Sequence, residues 1–174
     1  MKSQQVYSAL REHLAPLFMA NGFKRTRTML SWARAQGDKY IVVWCQVDRR
    51  GWDVYAGSKF VLEFQLSHEP VVGISSVRRQ RLGEMLSTNE REEIRTIQNK
   101  VIASLHRPPR SYGLLNVSEE LSTLYLRQFQ PIDKPYSDRE DIWLPYANRH
   151  DLDMWSKFLV AKLPEFFRQI ETWG

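Results

Sequence analysis

Near the start of the chain, hydrophobic side chains recur every three or four positions, at Val6, Leu10, Leu14, Leu17 and Phe18, with polar residues between them. That period is the mark of a helix with one buried face. Ser3 is placed to cap its start and Asn21-Gly22 to stop it, while Pro16 falls inside and predicts a kink or an early end. From Phe23 the period shortens to two, and residues 23–34, 40–48 and 60–67 read as strands. Gln36-Gly37-Asp38 supplies a hairpin turn between the first two, and Arg50-Gly51-Trp52 with Ala56-Gly57-Ser58 brackets the link to the third. In the middle run Tyr40, Ile41, Val42, Val43, Trp44 and Cys45 are apolar on both faces, as in a central strand. In the third, Phe60, Leu62, Phe64 and Leu66 alternate with Val61, Glu63 and Gln65, which predicts one wet face. Three such strands joined by turns form an antiparallel meander.

The second half is less regular. Residues 76–86 are basic and fit no single element. Asn89 followed by Glu90, Arg91 and Glu92 has the form of a capping box, and Ile94, Ile97, Val101 and Leu105 give the buried stripe of a helix that ends by Pro108-Pro109. Prolines and polar residues then dominate a long structured loop up to Arg149, within which residues 121–129 fit a helix or a strand equally well. A last helix starts at Asp151 as N-cap, aligns Leu152, Trp155, Leu159, Leu163, Phe166 and Ile170, and is expected to divide at Pro164. The pattern predicts one α+β domain over residues 1–174, with a small antiparallel meander sheet, helices on one of its faces, and helices at both termini.

Length and composition agree. A chain of 174 residues with 43% hydrophobic and 12% aromatic content can fill one core, and 26% charged residues keep its surface solvated. No stretch approaches the roughly 20 apolar residues of a membrane span, and the first residues lead into an amphipathic pattern with no signal-peptide core, so a cytoplasmic protein without a membrane partner is expected. Cys45 is the single cysteine, and among Val43, Trp44 and Val47 it reads as a small buried hydrophobe. No repeat or low-complexity tract stands out.

Charge changes the picture. The net +5 is unevenly spread: residues 1–86 hold 13 Lys and Arg against 7 Asp and Glu, a net +6, and the remainder carries −1. The basic clusters are Lys24-Arg25-Thr26-Arg27, Arg49-Arg50 and Arg78-Arg79-Gln80-Arg81, and Trp32, Trp44 and Trp52 lie in the same half. Guanidiniums pair with carboxylates and phosphates, and an exposed aromatic adds a stacking surface. Lys24, Arg25, Arg27, Arg49, Arg50, Arg78, Arg79, Arg81 and Trp52 are therefore the candidate binding residues, with Arg25 and Arg27 expected on one side of the first strand.

Other chemistry is thin. His13, His68, His106 and His150 are scattered, and of these only His150 has acidic neighbours, in His150-Asp151-Leu152-Asp153. No zinc-protease, paired-cysteine, phosphate-loop or nucleophile-elbow motif occurs. Asp53 with Glu63-Phe64-Gln65 resembles the Asp and Glu-x-Lys of metal-dependent nucleases, with Gln65 in place of the lysine, but the strand's alternation predicts a solvated Glu63. Trp143, Pro145 and Tyr146 cluster before the last helix, as a cover for the core or as the lining of a peptide groove. No catalytic residues, metal ligands or cofactor are assigned.

The order of Asn21-Gly22-Phe23-Lys24-Arg25 after an amphipathic helix, a strand containing Trp32, a hairpin, and Gln46 near the end of a second strand resembles an uncharacterised bacterial family, domain of unknown function 4304. The resemblance spans residues 8–66, with Met29 and Leu30 where the family would carry an aromatic residue. It implies an α+β fold with a curved antiparallel sheet and carries over no catalytic residues. Taken together, the sequence points to a non-catalytic binding protein that engages an acidic protein partner through its basic half. Nucleic-acid binding through the same arginines is the alternative, and a divergent metal-dependent hydrolase the third reading.

Overall fold

A computed structural model describes residues 1, 3–28, 30–49, 51–53, 57–73, 75–105, 118, 120 and 142–173. Helix α1 runs Ser3–Ala20, so Ser3 stands inside it and not before it. Gly22 ends the helix at φ +77, a conformation glycine adopts without a Cβ penalty. The Gly22 N–H donates to the Met19 carbonyl and the Phe23 N–H to the Phe18 carbonyl, a Schellman closure. Phe23 and Phe18 meet edge to face at 5.4 Å, the apolar contact that accompanies such an end. Pro16 does not end the helix. It is exposed, as is Glu12 one turn before it, so water can take the carbonyl that the proline leaves unpaired.

The strands are β1 (Lys24–Arg25), β2 (Ser31–Gln36), β3 (Lys39–Val47), β4 (Ser58–Ser67) and β5 (Ser76–Arg81), hydrogen-bonded in that order and all antiparallel. Helices α2 (Leu82–Met85) and α3 (Thr88–Ser104) follow, then β6 (Leu144–Tyr146) and α4 (Arg149–Glu171). The predicted three-strand meander is present as β2, β3 and β4, with β1 and β5 added at its two sides. A further addition is β6, which pairs with Ser58, Lys59 and Phe60 on the side of β4 where β5 pairs with residues Glu63 to Ser67. One edge of β4 is thus shared by two strands and the other is covered by β3.

One face of the sheet carries the core. Ile41, Val43 and Cys45 of β3 and Phe60, Leu62, Phe64 and Leu66 of β4 join Leu10, Leu14 and Phe18 of α1, Leu82 and Met85 of α2, Ile94 of α3, and Leu152, Trp155, Leu159, Leu163 and Phe166 of α4 in a single cluster. The alternation of β3 and β4 aims these side chains at the helices, so all four described helices pack on the same face. Phe18 stacks on Trp32 at 4.3 Å, and Phe23 lies 4.7 Å from Phe167. Trp155, which the heptad-like stripe of α4 buries completely, donates its indole N–H to the Pro145 carbonyl at 2.6 Å. Tyr146 is buried as well, and with Pro145 it belongs to β6, whereas Trp143 of the same aromatic cluster stands outside the strand and is half-buried.

Several expectations are corrected. Residues 23–34 are not one strand: β1 and β2 form a tight antiparallel pair around a turn. The Thr28 N–H donates to Thr26 Oγ1 at 3.2 Å and Ser31 Oγ to the Thr28 carbonyl at 3.0 Å, while the Thr26 and Ser31 hydroxyls also bond each other. Local side-chain bonds of this kind compete with a strand ladder, and Leu30 completes the turn at φ +52. Arg25 and Arg27 therefore do not share a strand face. The wet face expected for β4 is absent: all ten of its residues are buried. Residues 76–86 resolve into β5 and α2, and α3 is capped by Ser87, not Asn89, with Glu90 closing the box. In α4 the cap is Asn148 and Asp151 is its box partner, and the helix is continuous through Pro164. His106, Pro108-Pro109 and residues 121–129 lie outside the described residues.

Candidate anion-binding surface

On the face of β4 that points away from the helices, Glu63 is 3% exposed and Gln65 is fully buried. A carboxylate taken out of water is costly unless its lone pairs are met. Glu63 Oε1 accepts from Arg79 Nε at 3.0 Å, Arg79 Nη2 at 2.6 Å and Gln65 Nε2 at 2.6 Å. Arg81 Nε stands 3.7 Å from the other oxygen. Gln65 in turn accepts from the Gly73 N–H at 3.0 Å, which ties the β4–β5 connection to the network. The register explains the meeting, since Glu63 faces Arg81 and Gln65 faces Arg79 across the β4–β5 ladder. This carboxylate is committed to guanidiniums, which removes it from the nuclease-like arrangement with Asp53. Asp53 forms its own backbone bridge with Gly57.

The predicted binding residues fall into two groups. Arg78, Arg79 and Arg81 lie on β5 at one edge of the described sheet, and they are engaged: Arg79 and Arg81 with Glu63, and Arg78 over the Trp173 ring at 4.6 Å. Arg81 also lies 5.8 Å from the Trp143 ring, which Lys59 approaches from 5.3 Å. Lys24 and Arg25 form β1 at the opposite edge, about 19 Å away at four strand spacings. Arg27 occupies the turn after β1, and Arg49 follows β3. Because Leu30 bonds Cys45 and Ser31 pairs with Trp44, that turn and the β3–β4 connection share one end of the sheet. Lys24, Arg25, Arg27 and Arg49 are exposed, and no hydrogen bond or ion pair holds their side chains among the described residues. Arg50 lies outside the described residues.

Trp52 stands at the same end. Its indole N–H donates to the Ala147 carbonyl at 2.8 Å, while 36% of the residue is exposed. The backbone nearby is closely packed, for Gly57 lies at φ +64 with the Tyr146 carbonyl too near to leave room for a Cβ. The connection is thereby held against β6.

Sequence reading missed a second charged cluster, across α1 and α4. Asp153 Oδ1 accepts from Arg149 Nε at 2.9 Å and lies 3.0 Å from His13 Nε2, and Arg149 Nη2 donates to Glu12 at 2.8 Å. Partial burial raises the Asp153 pKa, but the bonds from Arg149 and His13 outweigh it and hold the carboxyl below its ordinary range. Arg149 does the same to Glu12. The only sequence signal was Arg149 four residues before Asp153. The Cys45 thiol is pushed up to about 12 by burial, which fits the expected inert hydrophobe. Among the described residues no group of three His, Cys, Asp or Glu could hold a metal ion, and no helix is long and apolar enough to cross a membrane. Comparison with family models, curated proteins and solved structures finds no match for the chain.

Proposed function

We propose that the chain is a cytoplasmic, non-catalytic binding protein whose basic amino-terminal half engages an acidic protein partner. One observation supports this reading above the others: Lys24, Arg25, Arg27 and Arg49 gather toward one edge and end of the sheet, exposed and without counter-ions among the described residues. Cations already paired, as Arg79 is, contribute little to a new contact, whereas unpaired ones attract an anionic surface over the Debye length. A single buried free thiol suits the cytoplasm. Kinship with domain of unknown function 4304 belongs to the same proposal, supported by the order of helix, Phe23, Trp32, hairpin and Gln46.

The test is fluorescence anisotropy of a labelled polyglutamate peptide and of random single- and double-stranded oligonucleotides, each titrated across salt. The peptide is expected to bind at low salt, to weaken as salt rises, and to lose most of its affinity in the Arg25→Ala/Arg27→Ala double variant. Absence of peptide binding at low salt would overturn the reading. Tighter and more steeply salt-dependent binding of an oligonucleotide would reassign the partner to nucleic acid.

A further inference from the structure

We infer that Trp52 and Arg49 anchor the docking of an acidic segment that carries an apolar side chain. The inference rests on the basic-surface reading and adds the partner's second chemical feature. Among the described residues the large hydrophobics left exposed are Met19, Trp52, Val77 and Val160, and Trp52 is the aromatic one. Its position is fixed from both sides. The indole N–H is satisfied by Ala147, and the turn before it is closed by the Gly51 N–H donating to the Asp48 carbonyl at 3.3 Å. An indole whose polar atom is already bonded has only its apolar surface to offer, and one that is already held loses little freedom when covered.

Charge identifies what covers it. Arg49, three residues earlier, is exposed and unpaired among the described residues, and Arg27 sits at the same end of the sheet. Tryptophan and arginine are the residue types that most often carry binding energy at protein interfaces. Val77, by contrast, sits on an edge strand between residues whose register shifts, where a bulge and the arginines that follow it discourage strand addition. The occupant that fits the Trp52 surface is a protein segment with carboxylates for the arginines and one apolar side chain for the indole.

The test uses isotope-labelled full chain and two synthetic peptides, one of glutamates alone and one of glutamates with a central phenylalanine. Binding is followed by the Trp52 indole N–H resonance, assigned by its loss in Trp52→Phe. The phenylalanine peptide is expected to bind about tenfold tighter and to move that resonance. Trp52→Ala should abolish the preference between peptides, Trp52→Phe should keep most of it, and Arg49→Ala should weaken both peptides alike. Thermal melts identify any variant that has lost its fold, and the Phe variant then decides. Equal affinities, with Trp52→Ala indistinguishable from the parent, would overturn the anchor while leaving the basic surface intact. Failure of both peptides to bind at low salt would sink both readings. An oligonucleotide that displaces the phenylalanine peptide and shifts the resonance further would overturn the protein occupant.

Discussion

Glu63 lies where almost no water reaches, and Arg79, Arg81 and Gln65 offset the cost of burying it. The guanidiniums themselves stay partly solvated, with side chains 45% and 30% exposed, so removing the carboxylate strands them less than a fully buried pair would be. Glu63→Gln is expected to lower unfolding free energy by about 2–3 kcal/mol, read from denaturant melts, because it replaces charged hydrogen bonds with weaker neutral ones in a buried place. The network was half legible. Glu63 and Gln65 are two apart on one strand and Arg79 and Arg81 two apart on the next, which is the pattern that antiparallel partners make. It stayed hidden because residues 76–86 had no element assigned, and a glutamate on an alternating strand is solvated by default.

At the scale of elements, the apolar stripes of α1, α3 and α4 were readable, whereas their starts, the short α2 and the continuity of α4 through Pro164 were not. Ser87 with Glu90 and Asn148 with Asp151 both close capping boxes, and Asp151 Oδ2 accepts from the Ala147 and Asn148 N–H groups at 2.7 and 3.1 Å. A side chain that looks like a cap can equally be the third residue of a box, and only the backbone conformation of the residue before it decides. The α1–α4 cluster contributes a pH dependence in acid. Glu12 and Asp153 titrate lower in the folded chain than in the unfolded one, so their contribution is present above the ordinary carboxylate range and is lost as pH falls through their lowered values. The Glu12→Gln/Asp153→Asn variant is expected to lose less melting temperature than the parent from about pH 5 downward, measured by circular dichroism. A steeper acid loss in the variant would count against the cluster.

Across the described molecule, β4 is enclosed on every side: β3 along one edge, β5 and β6 sharing the other, and the helices over its apolar face. Its amides from Phe60 to Leu66 are expected to exchange with deuterium only through global unfolding, and those of Lys24 and Arg25 on the two-residue edge strand far sooner. Comparable rates at the two places would contradict that hierarchy. The meander was visible because consecutive runs of period two pair with one another. The completion of β4 was not, because Leu144-Pro145-Tyr146 is too short to show a period, and its proline argued against a strand that needs every donor. That distant completion bears on how the chain is made. Ser58, Lys59 and Phe60 leave the ribosome long before Leu144, Pro145 and Tyr146, so a nascent chain waits with part of a buried strand unclothed, open to neighbouring copies until residues 144–146 emerge to cover it.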